Sequence, residues 1–185
     1  TEAMRWRRIA TRTTQFTVLV ALVLVGAFLA NEAWFSASFP HEKLTLDGVD
    51  NFGRVSPRLY RGAQPTAEGF AALRGLGVDA VIRLSLGTEG AATESAQTSA
   101  LGMDFLNLPW STENVPTPDQ VSAFLAYLRE HPDRTIFVHC KAGADRTGVM
   151  IALARIALDR WPVKHAVDEM KAFHYHYFFL PHLQR

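Results

Sequence analysis

The sequence predicts an α/β sandwich, with helices on both faces of a central, mostly parallel sheet. Short runs rich in β-branched and aliphatic residues alternate with segments of helical period along most of the chain. Glycine or proline marks most of the junctions between them. The chain has 185 residues, and setting aside a compositionally distinct N-terminal segment leaves about 150, enough for one core and one domain.

In chain order, Leu59-Tyr60-Arg61 reads as a short strand. Pro65-Thr66 then caps a helix that runs to about Leu76 and stops at Gly77. Val78–Leu84 is a buried strand, Gly87–Gly90 a loop, and residues 91–101 a weaker helix ending at Gly102. Met103–Leu108 forms the next strand and leads into the loop Pro109–Val115. Thr117-Pro118-Asp119-Gln120 is a helix start: threonine as cap, proline in the first turn and glutamine closing a capping box. The resulting helix, 118–130, points Val121, Phe124, Leu125 and Leu128 inward. Thr135–Val138 is a strand, Val149–Leu158 a helix, and Pro162 opens a last helix with Ala166, Val167, Met170 and Phe173 on one side. The chain shows no internal repeat and no low-complexity tract.

The N-terminal segment is built differently. Arg5, Arg7, Arg8 and Arg12 precede the uncharged run Phe16–Ala30, and Trp34 and Phe35 come shortly after. The pattern is that of an uncleaved signal anchor: a basic segment over 1–15, a transmembrane helix over 16–35 and a linker over 36–50. Residues 51–185 then form the one folded domain. On this reading the N-terminus is cytoplasmic and the domain lies outside, periplasmic or extracytoplasmic. A formal net charge of +1 gives no bulk attraction to nucleic acid.

The chemistry is concentrated in His139-Cys140-Lys141-Ala142-Gly143-Ala144-Asp145-Arg146-Thr147-Gly148, which holds the single cysteine of the chain. A strand precedes this stretch and a helix succeeds it. Backbone N–H groups between Cys140 and Arg146 can curl into an anion nest backed by a helix N-terminus. Arg146 offers a planar fork that matches two phosphate oxygens, and the same positive field favours the thiolate of Cys140. Lys141, Ala142, Gly143, Ala144, Asp145 and Arg146 are thus the expected phosphate-binding residues, and Cys140 the nucleophile of a cysteinyl-phosphate route. Thr147 can donate its hydroxyl to the sulfur as the thiolate departs. His139 has an orienting role at the strand end, and Arg61 and Arg83 tie strand ends together, with lining of the phosphate pocket as the alternative for each. His174, His176 and His182 cluster among aromatic residues without a completing carboxylate or cysteine, so no metal site is expected, and no cofactor is required.

This loop resembles the Cys-x5-Arg signature of the protein tyrosine phosphatase superfamily, in its His-Cys-x-x-Gly-x-x-Arg-Thr-Gly form. A second stretch, Phe52-Gly-Arg-Val55 with Leu59-Tyr60-Arg61-Gly62-Ala63-Gln64-Pro65 after it, is similar to the N-terminal portion of small dual-specificity-type members. Together the resemblance covers roughly residues 50–173. It implies a phosphoric monoester hydrolase that needs no cofactor. A rhodanese-like sulfurtransferase also holds a thiolate in a backbone nest, but lacks the Arg-Thr-Gly exit onto a helix.

The resemblance also implies a general acid, often an aspartate about thirty residues before the cysteine. Here that loop, Pro109–Val115, contains no aspartate. Two candidates stand: Asp145 within the signature loop, and Glu113 in the expected loop. Asp119 is spoken for by its helix start. The expected substrates are phosphotyrosine or dual-specificity phosphoproteins. Lys141 keeps phosphoinositide or inositol-phosphate hydrolysis as an alternative, which Ala144 weakens by removing a second basic position. A different class of function, a phosphate-recognition module with little turnover, is the reading if no general acid is present.

Overall fold

The computed structural model describes residues 15–30 and 41–176. The chain divides into two compact units, one ending at Pro40 and the other beginning at His41.

In the first unit, helix α1 spans 15–30 with every side chain exposed. Among the described residues no helix is long and apolar enough to cross a membrane. Sixteen residues at 1.5 Å each reach about 24 Å, short of a hydrocarbon core of about 30 Å. This corrects the expectation of a transmembrane helix over 16–35, and with it the single-pass topology that placed the catalytic domain outside. The basic residues through Arg12, the expected extension through Trp34 and Phe35, and the first residues of the linker lie outside the described residues.

The second unit is a six-stranded sheet in the order β1-β2-β3-β6-β4-β5. Its strands are β1 (Glu42–Lys43), β2 (Gly53–Ser56), β3 (Leu59–Gly62), β4 (Ala80–Arg83), β5 (Asp104–Asn107) and β6 (Ile136–His139). The helices are α2 (Ala67–Gly75), α3 (Thr88–Ala100), α4 (Pro118–Glu130), α5 (Asp145–Ala157) and α6 (Val163–Ala172). The pairs β3–β6, β6–β4 and β4–β5 are parallel, as expected, whereas β1–β2 and β2–β3 are antiparallel. The sheet is therefore mixed, with an antiparallel N-terminal edge.

Alternation along the strands sends side chains to two cores. Val81 and Phe137 face one side with Phe52, Phe70 and Leu73, where α2 packs. Ala80, Ile82, Ile136 and Val138 face the other, with Phe124 of α4, Met150 and Ile151 of α5 and Met170 of α6. β6 lies between β3 and β4 and is buried at all four positions. Gly62, His139 and Arg83 pair across the three strands, so their C-terminal ends stop at one level. The loops leaving these strands therefore emerge at a single edge of the sheet.

The predicted capping box is present. Thr117 Oγ1 accepts from Gln120 N at 3.3 Å, and Gln120 Oε1 accepts from Thr117 N at 2.8 Å. Gln120 Nε2 also donates to Pro109 O at 2.7 Å, fastening the start of α4 to the preceding loop. α3 begins at Thr88, inside the stretch expected to be loop, because Gly87 with φ +101° turns the chain directly into it.

Candidate active site

Cys140 comes directly after β6 and is 2% exposed, at the floor of a loop that runs into α5. The conformation of that loop is set from outside. Lys141 O accepts from Gln64 N at 3.2 Å, Ala142 O from Asn51 Nδ2 at 3.2 Å, and Gly143 O from Arg61 Nη2 at 2.9 Å. Three successive carbonyls are thus drawn away from the loop's interior. In trans peptides the N–H points opposite the carbonyl, so the amides of Ala142, Gly143 and Ala144 are turned the other way. A run of unspent, same-facing N–H groups at a helix N-terminus is an anion nest.

Gly143 is the residue on which this shape depends. Its φ is +66°, and a Cβ there would lie 2.3 Å from the carbonyl carbon of Gly62. The loop therefore rests directly on the backbone at the end of β3. Lys141 and Ala142 are exposed at the rim, while Gly143 and Ala144 are buried.

Arg146 stands in the first turn of α5, half-buried, and donates Nη1 to Trp110 O at 3.3 Å. Trp110 N in turn donates to Leu84 O at 3.3 Å, which joins the loop after β5 to the end of β4. The Nε of Arg146 is buried and makes no hydrogen bond among the described residues. The hydroxyl of Thr147 is likewise buried and unbonded, so the expected donation to sulfur is not made in this conformation.

Asp145 opens α5. Its Oδ1 accepts from His176 N at 2.9 Å, and both carboxylate oxygens lie 3.0 Å from His176 Nδ1. Glu113, the other acid candidate, is exposed, with its backbone N donating to Ser111 Oγ at 3.2 Å. Of the two, only Asp145 is part of the loop that carries Cys140 and Arg146.

His139 is fully buried, stacked on Phe137, with Nε2 3.0 Å from Glu94 Oε2. Glu94 also accepts from Arg83 Nε at 2.7 Å. Burial opposes the charge on Glu94, but hydrogen bonds and attraction from His139, with those from Arg83 and Gln64, outweigh it and hold its carboxyl below the usual range. Arg83 further donates to Ser85 O, to Asn107 Oδ1 and to Leu86 O, so it ties strand ends together as its position predicts. Arg61 and Gln64, within the second motif stretch, support the loop together with Asn51 and, through His139, Glu94, which motif reading does not single out. Asn51 and Gln64 flank or fall within the segments that carry the resemblance, which is the one signal pointing to them. Among the described residues, no group of three histidine, cysteine or acidic side chains could hold a metal ion.

Residues 46–175 match the family model described as "DSP-PTPase phosphatase fused to NAD+ Kinase". The chain belongs to the dual-specificity-type protein tyrosine phosphatases. It is 30% identical over 154 residues to the dual specificity protein phosphatase TpbA of Pseudomonas aeruginosa, covering 83% of this chain and 68% of that one. It is 26% identical over 130 residues to inositol diphosphatase DSP4 of Arabidopsis thaliana, covering 66% of this chain and 63% of that one. Among solved structures, it is similar to a cysteine-to-serine variant of P. aeruginosa TpbA in complex with phosphotyrosine, with a TM-score of 0.60, 26% identity, and 76% and 84% of the two chains covered. This dual-specificity-type phosphatase is therefore a cysteine-dependent phosphoric monoester hydrolase. Its signature loop, between β6 and α5, has three successive carbonyls drawn outward.

Proposed function

We propose that the enzyme removes phosphate from phosphotyrosine and other phosphorylated side chains of proteins, with Cys140 as nucleophile. The observation that carries this reading is the loop above Cys140: three outward-bonded carbonyls leave three amides for a phosphate, with Arg146 at its end. The Sγ thiolate attacks phosphorus as the P–O bond to the substrate breaks, and the departing oxygen takes a proton from the carboxyl of Asp145. Water then attacks the cysteinyl-phosphate and gives a proton to Asp145, releasing inorganic phosphate and the thiolate. Both Asp145 oxygens lie 3.0 Å from His176 Nδ1, so the imidazole holds the carboxyl in place beside the loop. The guanidinium of Arg146, already oriented by Trp110 O, supplies bidentate contact to the equatorial oxygens.

Similarity to TpbA and to its phosphotyrosine complex supports a protein substrate. Exposure of Lys141, Ala142, Glu113 and Val115 gives the site a low rim, which suits more than one phosphorylated side chain. An inositol-phosphate substrate has one observation of its own. A cavity of about 390 Å³ lies beside the loop, lined by Gln64, Arg83, Gly90, Thr93, Glu94 and Gln97. Its amides and hydroxyl suit a polyol ring, and it adjoins the residues before and after Cys140 through His139–Glu94 and Gln64–Lys141.

The test is turnover by the full chain of p-nitrophenyl phosphate, phosphotyrosine peptides and inositol phosphates, beside Cys140→Ser. Phosphopeptide hydrolysis that vanishes in Cys140→Ser, with orthovanadate inhibiting the parent enzyme, is the expected result. Turnover retained by Cys140→Ser would overturn the covalent route, and a preference for inositol phosphates would move the substrate to the second reading.

A further inference from the structure

Arg61 has no solvent exposure, and among the described residues no carboxylate forms an ion pair with it. Only one of its side-chain nitrogens is bonded there: Nη2 donates to Gly143 O, while Nε and Nη1 are buried without a hydrogen bond. Its guanidinium lies 4.1 Å from the ring centroid of Phe173. That ring is in turn pressed against the backbone of Gly53, the residue paired with Arg61 across β2 and β3. On the remaining side is α5, where a methyl group on Gly148 would lie 3.7 Å from Nη2. Glu169 attracts it, but both oxygens of Glu169 are committed to Arg155, at 2.9 and 3.1 Å.

A cation this enclosed is costly to keep unless an anion compensates it. Burial lowers the pKa of Arg61 to about 10, so it stays charged at neutral pH, with Glu169 and Cys140 as the groups that attract it. The anionic partner with no other claim on it is therefore at the loop that Arg61 supports. Tying strand ends, the role its position in β3 suggests, does not account for a guanidinium bonded to the loop itself.

We propose that Arg61 is a positioning residue of the phosphate site, a second cation set beneath the signature loop. It holds the loop's shape through Gly143 O, and its charge stabilises the anion bound above without touching it. Placing the charge below the loop leaves the mouth free for substrate, and the aromatic face of Phe173 keeps water from screening it. This rests on the reading of residues 140–146 as the phosphate site.

Three variants of the full chain separate charge from hydrogen bonding: Arg61→Lys, Arg61→Gln and Arg61→Met. The readouts are kcat and KM for p-nitrophenyl phosphate, inhibition constants for orthovanadate and inorganic phosphate, and the midpoint of thermal unfolding. Gln keeps a donor for Gly143 O but no charge. It is expected to weaken vanadate and phosphate inhibition about tenfold or more and to lower kcat, with Lys recovering much of the loss. Equal inhibition constants in the parent enzyme and Arg61→Gln would overturn the inference, even if the unfolding midpoint falls. Should Met fail to fold, the Lys–Gln pair decides. Cys140→Ser separates this failure from failure of the site itself: it must lose turnover yet still be stabilised against heat by inorganic phosphate.

Discussion

At the residue scale, Gly143 carries a constraint that no side chain can meet. Its φ is left-handed and the backbone of Gly62 and Ala63 occupies the space a methyl group would need. Gly143→Ala is expected to cost about 2–4 kcal/mol in urea unfolding, the sum of a left-handed penalty and overpacking against backbone. Activity should fall further than stability, because relief of the clash lifts the loop off β3 and turns its amides. The acid assignment is tested at the same scale. Asp145→Asn should slow alkyl phosphate esters by about a hundredfold or more while affecting p-nitrophenyl phosphate far less, since a good leaving group needs no proton. Were Glu113→Gln to show that pattern instead, the proton would come from the loop after β5. The signature loop was legible in the sequence because all ten of its residues are contiguous. Asn51 and Glu94 were not legible as its supports, because Asn51 reaches Ala142 O from the turn before β2 and Glu94 reaches the loop only through His139 and the packing of α3.

At the scale of elements, local chemistry predicted what local chemistry controls. The box at Thr117 and Gln120, the threonine cap of α2 at Thr66 and the four buried positions of β4 arise from short-range signals. Thr117→Ala should lower stability by about 1 kcal/mol, read as a shift in the urea midpoint at unchanged slope. The start of α3 escaped notice because Gly87 offers no side-chain cap and Gly90 lies within the first turn. The N-terminal edge of the sheet was missed for a different reason. β1 has two residues, and the pairing of β2 with β3 shifts register between Arg54 and Ser56, which breaks the alternation that marks a strand. The membrane expectation failed on length: flanking arginines and an apolar run satisfy the pattern, but among the described residues no helix is long and apolar enough to cross a membrane.

At the scale of the molecule, one sheet edge collects groups from positions that are distant in the chain. Asn51 and Gln64 approach from the first strands, Trp110 from the loop after β5, and His176 from beyond α6. Asn51 Nδ2 bonds both Ala142 O and Phe173 O, so it joins the start, the loop and the end of the domain through one amide. Long closures of this kind form late in folding, since chain entropy is lost before the contacts return it. The segment beyond α6 adds the remaining ties, Phe173 O to Asn51 and His176 to Asp145. A chain shortened before Phe173 is expected to keep the three donors that hold the loop, which all precede Cys140, and to lose the contacts of Asp145 with His176.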